Sequence, residues 1–144
     1  MKPASRGLRM SVAGLVTLES RNGPGETMER LLAAIEAKGL TVFARINHAA
    51  GAAEAGMPLR PTDLVIFGNA KGGTPLMQHE QTIGIDLPLK VLVWQDADGR
   101  TRLSWNDPAW IVERHGVAPD ILPNLKAMAE LLAGLAREAT TAGA

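Results

Sequence analysis

The chain has 144 residues, 46% hydrophobic and 21% charged, which suits one globular domain with its own core. Fifteen basic and fifteen acidic residues cancel, and three Trp, two Phe and no Tyr supply few stacking aromatics, so the composition argues against nucleic-acid binding. The absence of cysteine excludes disulfides, thiolate metal sites and cysteine nucleophiles, and no run reaches the ~18 apolar residues of a membrane span.

Residues 1–10 read as a flexible N-terminal leader, 11–139 as a single domain and 140–144 as a frayed C-terminus. Lys2, Arg6 and Arg9 before the apolar run MSVAGLVTL imitate a signal peptide. The run meets Glu19, Ser20 and Arg21 with no small-residue cleavage site, so residues 11–19 read as a first strand and the protein as cytoplasmic. In PGETMERLLAAIEAKG, Met28, Leu31, Leu32 and Ile35 share one helical face, with Pro24 near the start and Gly39 as the stop. Val42, Ala44 and Ile46 then alternate with Thr41, Phe43 and Arg45 in a strand. AAGAAEAGM suits one or two helical turns before Pro58 and Pro61, and DLVIFGN is a short apolar strand. LKVLVWQD and TRLSW flank Asp98-Gly99, the dipeptide of a tight hairpin turn. NDPAWIVERHG predicts a helix with Asp107 as N-cap and Pro108 at its first position. Ile121, Leu125, Met128, Leu132 and Leu135 form a stripe along a last helix, suited to core packing or to a dimer seam. Strands joined by a hairpin run antiparallel. The order therefore predicts an α+β domain: a single mixed or mainly antiparallel sheet of about five strands with helices packed on one face.

The segment IFGNAKGGTPLMQHE fails as a P-loop, because Gly73 is followed by Thr74 and the nearby lysine, Lys71, lies inside the spacer. The strand ending at Asp96 leads into a hairpin rather than a helix, which argues against a nucleotide-hydrolysing core. Two readings of the segment stay open. In one, Thr74 caps a helix with Pro75 at its first position, Gly72 and Gly73 let backbone amides approach an anion, and Lys71 adds charge. In the other, the glycines serve only the connection.

His48, Gly68-Asn69, Gly73-Thr74-Pro75-Leu76-Met77, Leu87-Pro88-Leu89-Lys90 and Asp107-Pro108, taken in order, resemble the family catalogued as domain of unknown function 302. The resemblance covers roughly residues 11–117. It implies a compact α+β fold and a homodimer, and no established reaction. Asn47 stands where the family pattern has Asp, Ala70 where it has Pro, and Trp105 where Tyr is common. The first departure matters chemically, because Asn47 cannot form a carboxylate–imidazole pair with His48.

The expected role is a cytoplasmic domain that binds a small anionic or carbonyl-bearing ligand through Asn69, Lys71, Gly72, Gly73 and Thr74. His48 joins them as hydrogen-bonding group. A second expectation is a small-metabolite enzyme with His48 as general acid or base; a third is a structural or interaction module. No metal site is expected, since His48, His79 and His115 lack ligand spacing. No cofactor, nucleic-acid partner or membrane partner is expected. Asp107 is accounted for by capping, and His79 and His115 by exposed surface. Ser104 and Thr74 lie in no nucleophile motif.

Overall fold

Five strands and five α-helices lie along residues 12–142, the part of the chain that the computed structural model describes. The expected leader lies outside the described residues. In chain order the elements are β1 (Leu15–Glu19), α1 (Pro24–Ala37), β2 (Thr41–Asn47), α2 (His48–Glu54), β3 (Thr62–Gly68) and α3 (Ala70–His79). A 3₁₀ turn (Gln81–Asp86), β4 (Leu89–Gln95), β5 (Thr101–Asn106), α4 (Pro108–Arg114), a second 3₁₀ turn (Pro119–Ile121) and α5 (Leu125–Thr140) complete them.

The strands form one sheet in the order β1-β5-β4-β3-β2, antiparallel at every pairing. Helix α1 carries the chain from one sheet edge to the other, and β2 to β5 then return strand by strand to β1. Period decides which residues make this possible. Met28, Leu31 and Ile35 recur at helical spacing and are fully buried, as are Val65, Phe67, Val93 and Leu103 at strand spacing. These residues belong to one core between the sheet and the α1–α5 layer. Each such side chain contributes roughly 1.5–3 kcal/mol of burial.

The opposite sheet face carries a polar cluster. Thr17 and Ser104, paired across β1 and β5, bond through their hydroxyls at 2.8 Å, and Trp94 Nε1 donates to Ser104 Oγ at 2.9 Å. Ser104 is 2% exposed and committed to this cluster, which removes it as a nucleophile. The β4–β5 hairpin turns at Gly99, whose φ of 82° suits the Asp98-Gly99 expectation. Asp96 is bound within that turn, accepting from Asp98 N, Arg100 N and Arg102 Nε at 2.9 Å each.

Several boundaries differ from the sequence reading. The first strand starts at Leu15, because residues 12–14 turn instead: Leu15 N donates to Val12 O, and Gly14 takes a φ of 74°. Ile121 is not in the last helix; it sits in the second 3₁₀ turn, 52% exposed. The chain is not frayed at Thr140, which closes α5, is buried, and bonds through its hydroxyl to Ala136 O and through its carbonyl to Arg21 N.

Candidate functional site

Strand β3 ends at Gly68, whose φ of 150° is a backbone state that side chains disfavour. The next residue, Asn69, is the N-cap of α3: its Oδ1 accepts from Gly72 N at 2.8 Å. The helix therefore begins at Ala70, ahead of the Thr74 cap expected from sequence, and takes Gly72, Gly73, Thr74 and Pro75 into its first two turns. Pro75 has no N–H to offer the carbonyl of Lys71, so the helix runs through a position where local chemistry suggests a start.

The glycines have a packing reason as well. A Cβ on Gly73 would stand 3.3 Å from Leu87 Cδ1, and one on Gly84 would stand 3.2 Å from Met77 Sδ. Both backbone groups of Gly72 are engaged, the N–H by Asn69 and the carbonyl by Asn124 Nδ2 at 3.1 Å. The N–H groups without an intrahelical acceptor are those of Ala70 and Lys71. These, rather than the Gly72–Thr74 amides expected from sequence, are the backbone donors left for a ligand.

Beside this turn lies a cavity of about 530 Å³. Its walls are mostly apolar, with Leu40, Phe43, Met77, Leu87, Met128 and Leu131 among them, and its polar side chains are Asn69, Lys71, Thr74 and Asn124. The volume falls within the range of small-molecule sites. Five of the six site residues expected from sequence meet here: Asn69, Lys71, Gly72, Gly73 and Thr74 all line this one cavity.

His48 does not join them. Thr41 pairs with Gly68 and Asn47 with Asp63, so His48 lies a strand length away, about 20 Å, at the other end of β2. It is the first residue of α2, exposed, while Asn47 caps that helix by accepting from Ala50 N at 2.9 Å. An Asp at position 47 would cap equally well. Position 47 thus acts as a helix start beside His48.

His115 differs from the exposed residue expected. Its side chain is 9% exposed, with Nδ1 at 2.8 Å from Thr82 Oγ1 and Nε2 at 2.6 Å from Asp86 Oδ2. Asp86 also accepts from Arg114 at 2.7 Å. Burial pushes the Asp86 carboxyl up, but the bonds from His115 and Arg114 outweigh it and hold the group below its ordinary value. Burial lowers the pKa of Lys90 against the opposing pull of the Asp86 charge, and its Nζ donates to Pro88 O at 3.1 Å. Asp107 caps α4 as expected, accepting from Ala109 N at 3.0 Å. No group of three or more His, Asp or Glu with metal-site geometry occurs among the described residues.

Sequence reasoning missed Phe43, Leu87, Asn124 and Met128 as cavity walls. Asn124 is 52 positions from its partner Gly72, a separation at which no local pattern reports contact.

Fold and site together define a small α+β domain with an antiparallel sheet and a cavity at a strand-to-helix turn. The chain belongs to the family described as Domain of unknown function DUF302, whose model matches residues 16–135. Its fold is that of an uncharacterized conserved DUF302 protein from Bacillus stearothermophilus, with a TM-score of 0.78 and 20% identity, covering 89% of this chain and 99% of that one. It is also 50% identical over 118 residues to proteins of Brucella suis and Brucella abortus, each named "Fluoride-specific ion channel FluC 1". The match takes in 81% of this chain but 46% and 43% of those proteins, so the chain spans less than half their length. No helix among the described residues is long and apolar enough to cross a membrane.

Proposed function

We propose that this chain binds a small organic molecule in the cavity beside α3, and that occupancy of the cavity is its molecular function. The observation that carries the reading is the cavity: about 530 Å³ of mostly apolar surface interrupted by Asn69, Lys71, Thr74 and Asn124. Lys71 supplies positive charge, and the Ala70 and Lys71 amides offer hydrogen bonds to an anionic or carbonyl oxygen. A bare inorganic anion would leave the apolar walls in contact with water, so the ligand brings apolar surface of its own.

Ala127, an exposed α5 residue on the cavity wall, provides the test. Ala127→Phe fills the cavity from the helix surface without disturbing the core. A panel of small carboxylates and carbonyl compounds should raise the melting temperature of the wild type. At a hundredfold excess over Kd the stabilisation is about 2.7 kcal/mol. The filled variant should melt normally and gain nothing. Equal gains in both proteins, or none with any compound, would overturn the reading.

A second reading rests on the Brucella proteins. We infer that this domain works in the cytoplasm beside a fluoride channel, with cavity occupancy influencing that channel. Half-identity to a segment of proteins named as such channels supports it. Deleting the chain should lower fluoride tolerance of its host, and Ala127→Phe should reproduce the loss. Unchanged tolerance after deletion would remove the channel link.

A further inference from the structure

We infer that the cavity's ligand is an aromatic acid, a flat apolar ring system bearing one anionic group; this rests on the cavity reading above.

Charge comes first. Lys71 is the one charged side chain among the cavity walls, is exposed, and forms no salt bridge among the described residues. A single cation with no salt-bridge partner among the described residues matches one anionic group; a diphosphate or dicarboxylate would leave charge unmatched against apolar walls. The amides are spoken for in part: Asn69 Oδ1 accepts from Gly72 N, and Asn124 Nδ2 donates to Gly72 O. Few donors and acceptors remain for a sugar or a peptide, which would bring many polar groups into an apolar enclosure.

The walls then select the body of the ligand. Met77 and Met128 bring thioethers and Phe43 brings a ring. Sulfur–aromatic and ring–ring contacts both favour a flat π-system over an acyl chain of equal area. Phe43 is placed for this by the backbone. The β2–β3 register shifts between Val42 and Ala44, so Phe43 sits in a bulge, and bulges re-aim side chains. Phe43 lines the cavity yet is 55% exposed, so it has surface left for a ligand to cover.

Two fluorescent probes with related rings separate these contributions. 1-Anilinonaphthalene-8-sulfonate carries one anionic group, and N-phenyl-1-naphthylamine carries none. Fluorescence titrations of the full chain should show both binding the wild type and neither binding Ala127→Phe. Lys71→Gln should weaken the sulfonate about tenfold while leaving the neutral probe unchanged, and Phe43→Ala should weaken both about tenfold. Naphthalene-1-carboxylate should displace the sulfonate at a concentration about tenfold below that needed of octanoate. Lys71 and Phe43 are both exposed, so circular dichroism melts of these variants should match the wild type. Sulfonate binding that survives Ala127→Phe would sink the cavity reading and this inference together. Binding lost in Ala127→Phe but unaltered in Lys71→Gln and Phe43→Ala would leave the cavity and overturn the aromatic acid. Displacement by octanoate at equal or lower concentration, or a wild type that binds neither probe, would overturn it too.

Discussion

Asn69 and Asn47 do the same work at two places: Asn47 closes β2, Asn69 follows the last residue of β3, and each accepts from the third residue of the helix that follows. Replacing either by Ala should cost about 1 kcal/mol, measured as a lowered denaturation midpoint, whereas Asp should be tolerated at both. Asn47→Asp is the sharper experiment. It installs the residue that the family resemblance implies at this position, and the melting temperature should stay within about 2 °C of the wild type, since a cap replaces a cap. Gly14 is a stricter position. Its φ of 74° is left-handed, and an added Cβ would overlap the Trp110 indole. Gly14→Ala should therefore destabilise by about 2–5 kcal/mol, strain and steric overlap acting together; a calorimetric melt within 1 °C of the wild type would refute that account. The capping residue at Asp107 was readable from its place before Pro108. Asn69 was not, because Gly-Gly-Thr-Pro carries local signals for a start at Thr74 that the Asn69 and Asn124 hydrogen bonds override.

At the scale of elements, Asp86 joins the first 3₁₀ turn to the C-terminal end of α4 through His115 and Arg114. The folded state favours its ionised form, so it contributes stability above the unfolded carboxyl's pKa, lost as pH falls through the lower folded value. Asp96 acts in the same direction: burial opposes ionisation, but bonds from Arg100 N, Arg102 and Asp98 N outweigh it. Stability should fall below about pH 4, and Asp86→Asn should shrink that acid loss without abolishing it, because Asp96 remains. Denaturation midpoints between pH 2 and 7 would show this; an identical acid limb in the variant would discard the Asp86 contribution. Helix α5 was the most legible element, since a long apolar stripe at helical period specifies a helix, although Ile121 at its expected start lies in the preceding turn. Its Leu125, Met128, Leu132 and Leu135 are all buried.

For the whole molecule, the burial of that stripe decides between core and dimer seam. The homodimer implied by the family resemblance cannot use it, because the same residues already close the domain against α1 and the sheet. Leu132, 1% exposed, is the discriminating site. Leu132→Ala should cost about 2–5 kcal/mol in stability and leave the sedimentation mass of the folded protein unchanged. A change of mass at constant stability would return the stripe to an interface. The topology also sets the distance between the two histidine-bearing and glycine-rich segments that sequence had grouped. Antiparallel pairing of β2 with β3 puts Gly68 and Asp63 at opposite ends, and Asn69 and His48 go with them.

What the sequence determined by itself is what period and local chemistry govern: most of the strands and helices, the Asp98-Gly99 hairpin, an α+β domain with a mixed or mainly antiparallel sheet, and the family. These depend on residues a few positions apart, whose side chains share a face or a turn whatever the rest of the chain does. Tertiary structure alone decided where α3 begins, that His48 stands away from the glycine-rich turn, and that His115 is locked onto Asp86. It also assembled the cavity, because Phe43, Leu87 and Met128 come from three distant segments that meet only when α1 and α5 cover the sheet. Such contacts are fixed by packing the whole chain, and no short stretch of residues encodes them.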